Sequence, residues 1–283
     1  LSELTCSSCL LQNNTAYSDG GGLYTVSWKM SFSNGSKFLN NIALNGDGGG
    51  IFSGSFIELA LSGIVFQENK ALGLNIGNGH HGCGGAIASV LSGVVRLENV
   101  DIRRNEALCG GGVYSPLDSD LVIVNSLLDS NVASVSGGGL YTNASISCKI
   151  YDSVFRNNSA LSANGGGAYL VSSLTSSNSG RRSAFFSNLS FVDNSAMNGG
   201  GGGIFRSGNV SVTVWNSSFW SNTGLEGGGL YLVNGSSAFA NVSMISNYGV
   251  EYGGGLIASE EETLVMKSCR LRGNSAGEAG GAL

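Results

Sequence analysis

The chain has 283 residues, 42% hydrophobic and only 12% charged, with 46 Gly, one Pro and a formal net charge of −5. That balance excludes a highly charged disordered coil and leaves no basic stripe for nucleic acid, since Arg103-Arg104 and Arg181-Arg182 stand alone and read as solvated loop arginines. No apolar run approaches the ~18 residues that span a bilayer, and with neither an initiator Met nor a secretory signal the chain reads as a processed product or a window of a longer one.

Taken in chain order, one pattern returns ten times. Its origin is an asparagine, at Asn14, Asn41, Asn69, Asn105, Asn131, Asn158, Asn194, Asn222, Asn247 and Asn274. Three residues earlier stands an apolar side chain (Leu11, Phe38, Phe66, Ile102, Leu128, Phe155, Phe191, Phe219, Met244, Leu271), and two residues later only Ala or Gly. A glycine corner follows, placed by the sequence at Gly20, Gly48, Cys83, Gly110, Gly137, Gly165, Gly201, Gly227 and Gly253, and the tenth copy closes on GGAL. Before the anchor, apolar residues alternate, slip once and alternate again, as in Leu59, Leu61, Ile64, Phe66 or Val95, Leu97, Val100, Ile102. Two short strands joined at a bend have that phase, whereas a helix does not. The second copy, KMSFSNGSKF, departs by one inserted residue. With one more short strand after the glycines, each copy of about 27 residues predicts three strands and three corners.

A unit of three strands cannot bury its own inward side chains, so it must stack on copies of itself. The expectation is a single all-β domain over residues 1–283, a parallel β-helix of about ten coils, roughly 45–50 Å long at about 4.8 Å per rung. The asparagines then form a column whose amides hydrogen-bond along the axis, and the glycines supply positive φ and close approach at each corner.

The pairing of F-x-x-N with G-G-[AGLIV], as in Phe66 to Asn69 with Gly84-Gly85-Ala86-Ile87 and Phe155 to Asn158 with Gly165-Gly166-Gly167-Ala168, resembles the repeat of the chlamydial polymorphic outer membrane proteins. The resemblance covers all ten copies and implies a right-handed, single-stranded β-helix like the passenger of a surface autotransporter. Two departures accompany it: the third corner residue is mostly Gly, and these 283 residues include no membrane-inserting barrel.

Candidate sites are few. N-x-[ST] sequons stand at Asn13, Asn34, Asn143, Asn157, Asn188, Asn209, Asn216, Asn234 and Asn241, nine of the eighteen asparagines outside the ladder. Ser and Thr frequency alone would give roughly three or four, so the excess points to a secreted eukaryotic glycoprotein carrying N-glycans; a Ser/Asn-rich bare surface is the other reading. Cys6, Cys9, Cys148 and Cys269 fall on inward offsets and read as small buried thiols, while Cys83 and Cys109, at or beside successive corners, are a candidate disulfide pair. His80, His81 and Cys83 lie together in NGHHGC, but adjacent histidines rarely share an ion and no fourth ligand is evident, so no metal is expected. Asp19 and Asp47 precede successive corners and read as turn residues rather than calcium ligands. Catalysis by converging carboxylates, as in β-helical polysaccharide lyases and hydrolases, has no support in the scattered Asp and Glu, so neither a catalytic residue nor a cofactor is expected. The long loops of the third and seventh copies are places for a ligand or tolerated insertions.

Both ends read as turns without polar caps, and laid end to end they make a nearly regular repeat. The function expected first is therefore a subunit of an extracellular filament or surface appendage that stacks on itself head to tail. An adhesin or autotransporter-type passenger is the alternative. Both place the chain outside the cell.

Overall fold

The computed structural model describes residues 3–26, 29–54, 58–74, 82–90, 93–116, 119–143, 147–172 and 183–283. His80, His81, Arg181 and Arg182 lie outside them. The first rung sets the plan, with strands Glu3–Ser7, Leu10–Gln12, Thr15–Ala16 and Leu23–Thr25. Each pairs with its counterpart in the next rung and so on along the chain, giving three ten-stranded sheets and one of nine, all parallel. We number them sheet one to sheet four in the order the chain visits them.

Each turn therefore holds four strands, not the three expected. The additional one, directly after the ladder asparagine, ranges from a two-residue stub such as Ile42–Ala43 or Ser159–Ala160 to the six residues Ser195–Gly200. Two residues are too few to show alternation, and the stub is recognisable only because Ile42 N–H donates to Asn14 C=O and Leu44 N–H to Ala16 C=O of the preceding rung.

The core runs along the axis between the sheets. The predicted inward offsets are filled as expected: Val95, Leu97, Val100 and Ile102 are all buried, and so are Leu59, Leu61, Ile64 and Phe66. In sheet two the anchors stack face to face, Phe155 on Phe191 at 4.7 Å and Phe191 on Phe219 at 4.9 Å between ring centroids. Each buried anchor contributes about 1.5–3 kcal/mol relative to exposure, and the offset stacking adds to it. The inserted residue of the second copy is absorbed at Asn34-Gly35, both at positive φ, so Phe32 and Phe38 remain buried on either side.

The corner glycines split two tasks. Gly110 has φ +59°, and Gly111 lies so close to the next rung that a Cβ there would sit 2.5 Å from both Gly138 O and Val132 O. In the third copy the positive-φ corner is Gly84, not Cys83, and the backbone bonds Gly49 N–H to Gly84 O and Gly84 N–H to Cys109 O fix that register. Cys83 thus precedes the corner by one residue.

Candidate functional surface: bends, columns and exposed aromatics

The interior ladder asparagines use all of their amide capacity. Asn131 Oδ1 accepts from Asn105 N–H (3.1 Å) and Asn105 Nδ2 (2.9 Å), and its Nδ2 donates to Asn158 Oδ1 (3.0 Å) and Ile102 O (2.9 Å). Two of these partners are backbone groups of the preceding rung: Asn105 N–H at the bend, and Ile102 C=O in the adjoining sheet-two strand Asp101–Arg103. Aspartate lacks the donors and glutamine is one methylene too long. The same link joins every consecutive pair from Asn14 to Asn274.

The sequon asparagines occupy the opposite environment. All eight whose side chains are described (Asn13, Asn34, Asn157, Asn188, Asn209, Asn216, Asn234, Asn241) are exposed, and all but Asn209 have φ between 47° and 57°. Asn157 and Asn158 show the contrast within one dipeptide: the first is exposed at positive φ, the second fully buried in the ladder. Asn143 ends the sheet-four strand Leu140–Asn143. Asparagine is the non-glycine residue best suited to left-handed corners, so the fold itself supplies one cause for asparagines at these bends. Asn34, Asn188, Asn216 and Asn241 share the bend between sheets one and two; Asn13 and Asn157 share the next; Asn209 and Asn234 lie where sheet four leads into sheet one.

The cysteines depart from expectation twice. Cys6 and Cys9 are joined as a disulfide, with Cα atoms 6.1 Å apart. Both do point inward, but the bend between sheets one and two brings offsets i and i+3 face to face, which phase alone does not reveal. Cys83 and Cys109 are not disulfide-bonded. They stand on successive rungs, one residue before the corner glycines Gly84 and Gly110, and a strand spacing of about 4.8 Å exceeds the ~3.8 Å mean Cβ separation of a disulfide. The thiols hydrogen-bond instead: the bond to Cys109 raises the Cys83 pKa and the same bond lowers that of Cys109. Cys148 is fully buried, and burial pushes its thiol up to about 12. Cys269 is a thiol packed against the core.

The Cys83 column begins with Asp19 and Asp47. Asp19 Oδ1 accepts from Asp47 N–H (2.8 Å) and Asp47 Oδ1 from Cys83 N–H (2.7 Å), so these carboxylates extend the backbone ladder. Among the described residues no group of three or more His, Cys, Asp or Glu gathers as for a metal. Other carboxylates pair across rungs with bases, as Glu106 with Lys70 (2.8 Å) and Asp129 with Arg156 (2.9 Å), and the Arg156 guanidinium lowers the Asp129 pKa.

Three features were not anticipated. Arg206 stands fully buried at an inward sheet-four position, donating to Val233 O (2.8 Å), Ser237 Oγ (2.9 Å) and the equally buried Glu262 carboxylate. A charged residue at an inward offset, between Leu170 and Leu232 in register, was visible in the repeat, but its partner was not. Outside sheet four, the rings of Tyr114, Tyr141, Tyr169, Phe205 and Tyr231 follow one another on successive rungs with centroids 4.9–5.3 Å apart, the last pair edge to face, and partial burial raises the tyrosine pKa values. Outside sheet one, Phe185, Trp215, Ala238 and Val265 line a shallow apolar cavity of about 330 Å³.

A rung built of four short parallel strands, held by a buried amide column and glycine corners, defines a β-helical repeat protein. The family model described as right handed beta helix region matches residues 85–248, more than half of the chain, and the chain belongs to that family. The Chlamydia polymorphic membrane protein repeat matches residues 8–26, within the first rung. The metabotropic glutamate receptor-like protein R of Dictyostelium discoideum is 26% identical over 164 residues, 58% of this chain and 10% of that protein, so the chain spans about a tenth of its relative. No solved structure gives a significant match. Among the described residues no helix is long and apolar enough to cross a membrane.

Proposed function

We propose that this chain is a rigid β-helical rod of an extracellular, adhesin-like surface glycoprotein, with a presenting rather than a catalytic role. The observation that carries the reading is the segregation of asparagines: ladder residues face inward, while every sequon with a described side chain is exposed on a bend. The similarity to a repeat of surface proteins and to a segment of a receptor-like protein supports the same reading. Expression in a eukaryotic secretory host, with mass spectrometry of intact glycopeptides and a cell-attachment assay on coated beads, tests it. Empty sequons together with no attachment would reject it. Turnover of acidic polysaccharides would reject the non-catalytic part.

A filament subunit is the second reading. The rungs pair in one parallel order throughout the described residues, and a stack of copies would continue that same ladder. Electron microscopy separates the two, continuous fibres supporting stacking of copies and single rods opposing it.

A further inference from the structure

Asn188, Asn216 and Asn241 occupy the same bend on three successive rungs, each exposed and each at positive φ. The hydroxyls that complete their sequons, Ser190, Ser218 and Ser243, begin the paired strands of sheet two. These rungs also carry exposed apolar side chains on both flanks of the bend. Trp215, 47% exposed, ends a sheet-one strand, and Trp220, 56% exposed, ends the following sheet-two strand. Asn216 directly follows Trp215 in the chain and precedes Trp220 by four residues. Beside Trp215, Phe185 and Val265 continue the apolar cavity of sheet one, while Val192 and Ile245 stand in register with Trp220.

Such a patch on a water-facing sheet asks for a cover, and an N-x-S sequon stands within one residue of it. We propose that Asn216 is a glycosylated position and that the first sugars of its glycan lie back over Trp215 and the sheet-one cavity. N-acetylglucosamine has an apolar face of axial C–H groups that packs on an indole, and its hydroxyls and acetamide remain in water. The Asn216 side chain is compatible with this arrangement, since its Oδ1 accepts from Asn241 Nδ2 (3.1 Å) and the modified atom, Nδ2, is on the exposed side chain of a bend. The proposal rests on the glycoprotein reading and adds to it one position and one covered surface.

The test uses the chain secreted from a eukaryotic host. Glycopeptide mass spectrometry reads occupancy at Asn216, and acrylamide quenching of tryptophan fluorescence reads the cover. Ser218→Ala abolishes the sequon but leaves Asn216 in its left-handed corner, and Asn216→Gln is a second variant; circular dichroism checks that each folds. The expected result is an occupied Asn216 and, in Ser218→Ala, a loss of protection of the indoles with a red shift of their emission. An occupied Asn216 with unchanged quenching in the folded variant overturns the covering and leaves the glycoprotein reading standing. An empty Asn216 with other sequons occupied overturns the assignment alone, and sequons empty throughout overturn both.

Discussion

At the residue scale, the amide of Asn131 shows why this position admits one residue type. Removing it orphans Asn105 N–H inside the core, at about 1–3 kcal/mol, and takes from Ile102 C=O the donor it has besides its sheet partner. Asn131→Ala is therefore expected to lose on the order of 1–3 kcal/mol, and Asn14→Ala, at an exposed rung end, much less. Urea melts of the two variants measured side by side check this; equal losses would show that the ladder carries no special load. The thiols give a second expectation. Cys109, whose pKa is lowered by the Cys83 thiol, should be alkylated by iodoacetamide near pH 8 well before Cys148, whose thiol burial pushes up to about 12. Peptide mapping after timed labelling reads the order. Residue identity made the ladder legible in sequence because an amide at fixed phase has few other uses. The same logic failed for Cys6, since inward phase does not say which inward residue lies opposite.

At the scale of elements, legibility depended on apolar phase. Strands of sheets one and two alternate; those of sheet three do not, neither the two-residue Ile42–Ala43 nor the longer Ser195–Gly200 and Thr223–Glu226, where small residues and glycine replace apolar anchors. Sheet four carries the least expected piece of packing, the Arg206–Glu262 pair, whose Nε and Oε2 atoms are buried without a hydrogen-bond partner. Burying an ion pair costs desolvation that the mutual attraction barely offsets, and removing one partner leaves a charge stranded, at about 3–5 kcal/mol. Glu262→Leu is expected to destabilise by about that amount, while Arg206→Leu with Glu262→Leu should recover most of it, because Leu170 and Leu232 already occupy the same column. A double-mutant cycle in urea measures the coupling. If both single variants and the double lost stability additively, the pair would not be acting as a unit.

For the molecule as a whole, nearly every contact joins neighbouring rungs, so stability accumulates rung by rung. A complete rung should be removable. Deleting Glu106–Asn131, one period of 26 residues, places Asn105 directly against Asn158 and restores every register. The shortened chain is expected to keep its β-sheet circular dichroism and melt cooperatively, whereas deletion of half a rung should abolish both. Failure of the whole-period deletion to fold would mean that particular rungs, not the repeat, specify the structure. This modularity is why sequence alone gave the architecture, since ten copies of a weak pattern reinforce one another. The exposed Trp215 and the Arg206–Glu262 pair belong to single rungs and had no such reinforcement.

The asparagine-to-asparagine links all run the same way, one Nδ2–H of each pointing toward the higher-numbered rung and each Oδ1 toward the lower. The column of links therefore has a direction. Two such rods meeting by their low-numbered faces would set oxygen against oxygen, and by their high-numbered faces hydrogen against hydrogen. Continuation of this column therefore admits a single orientation, whether the next rung comes from the same polypeptide or another.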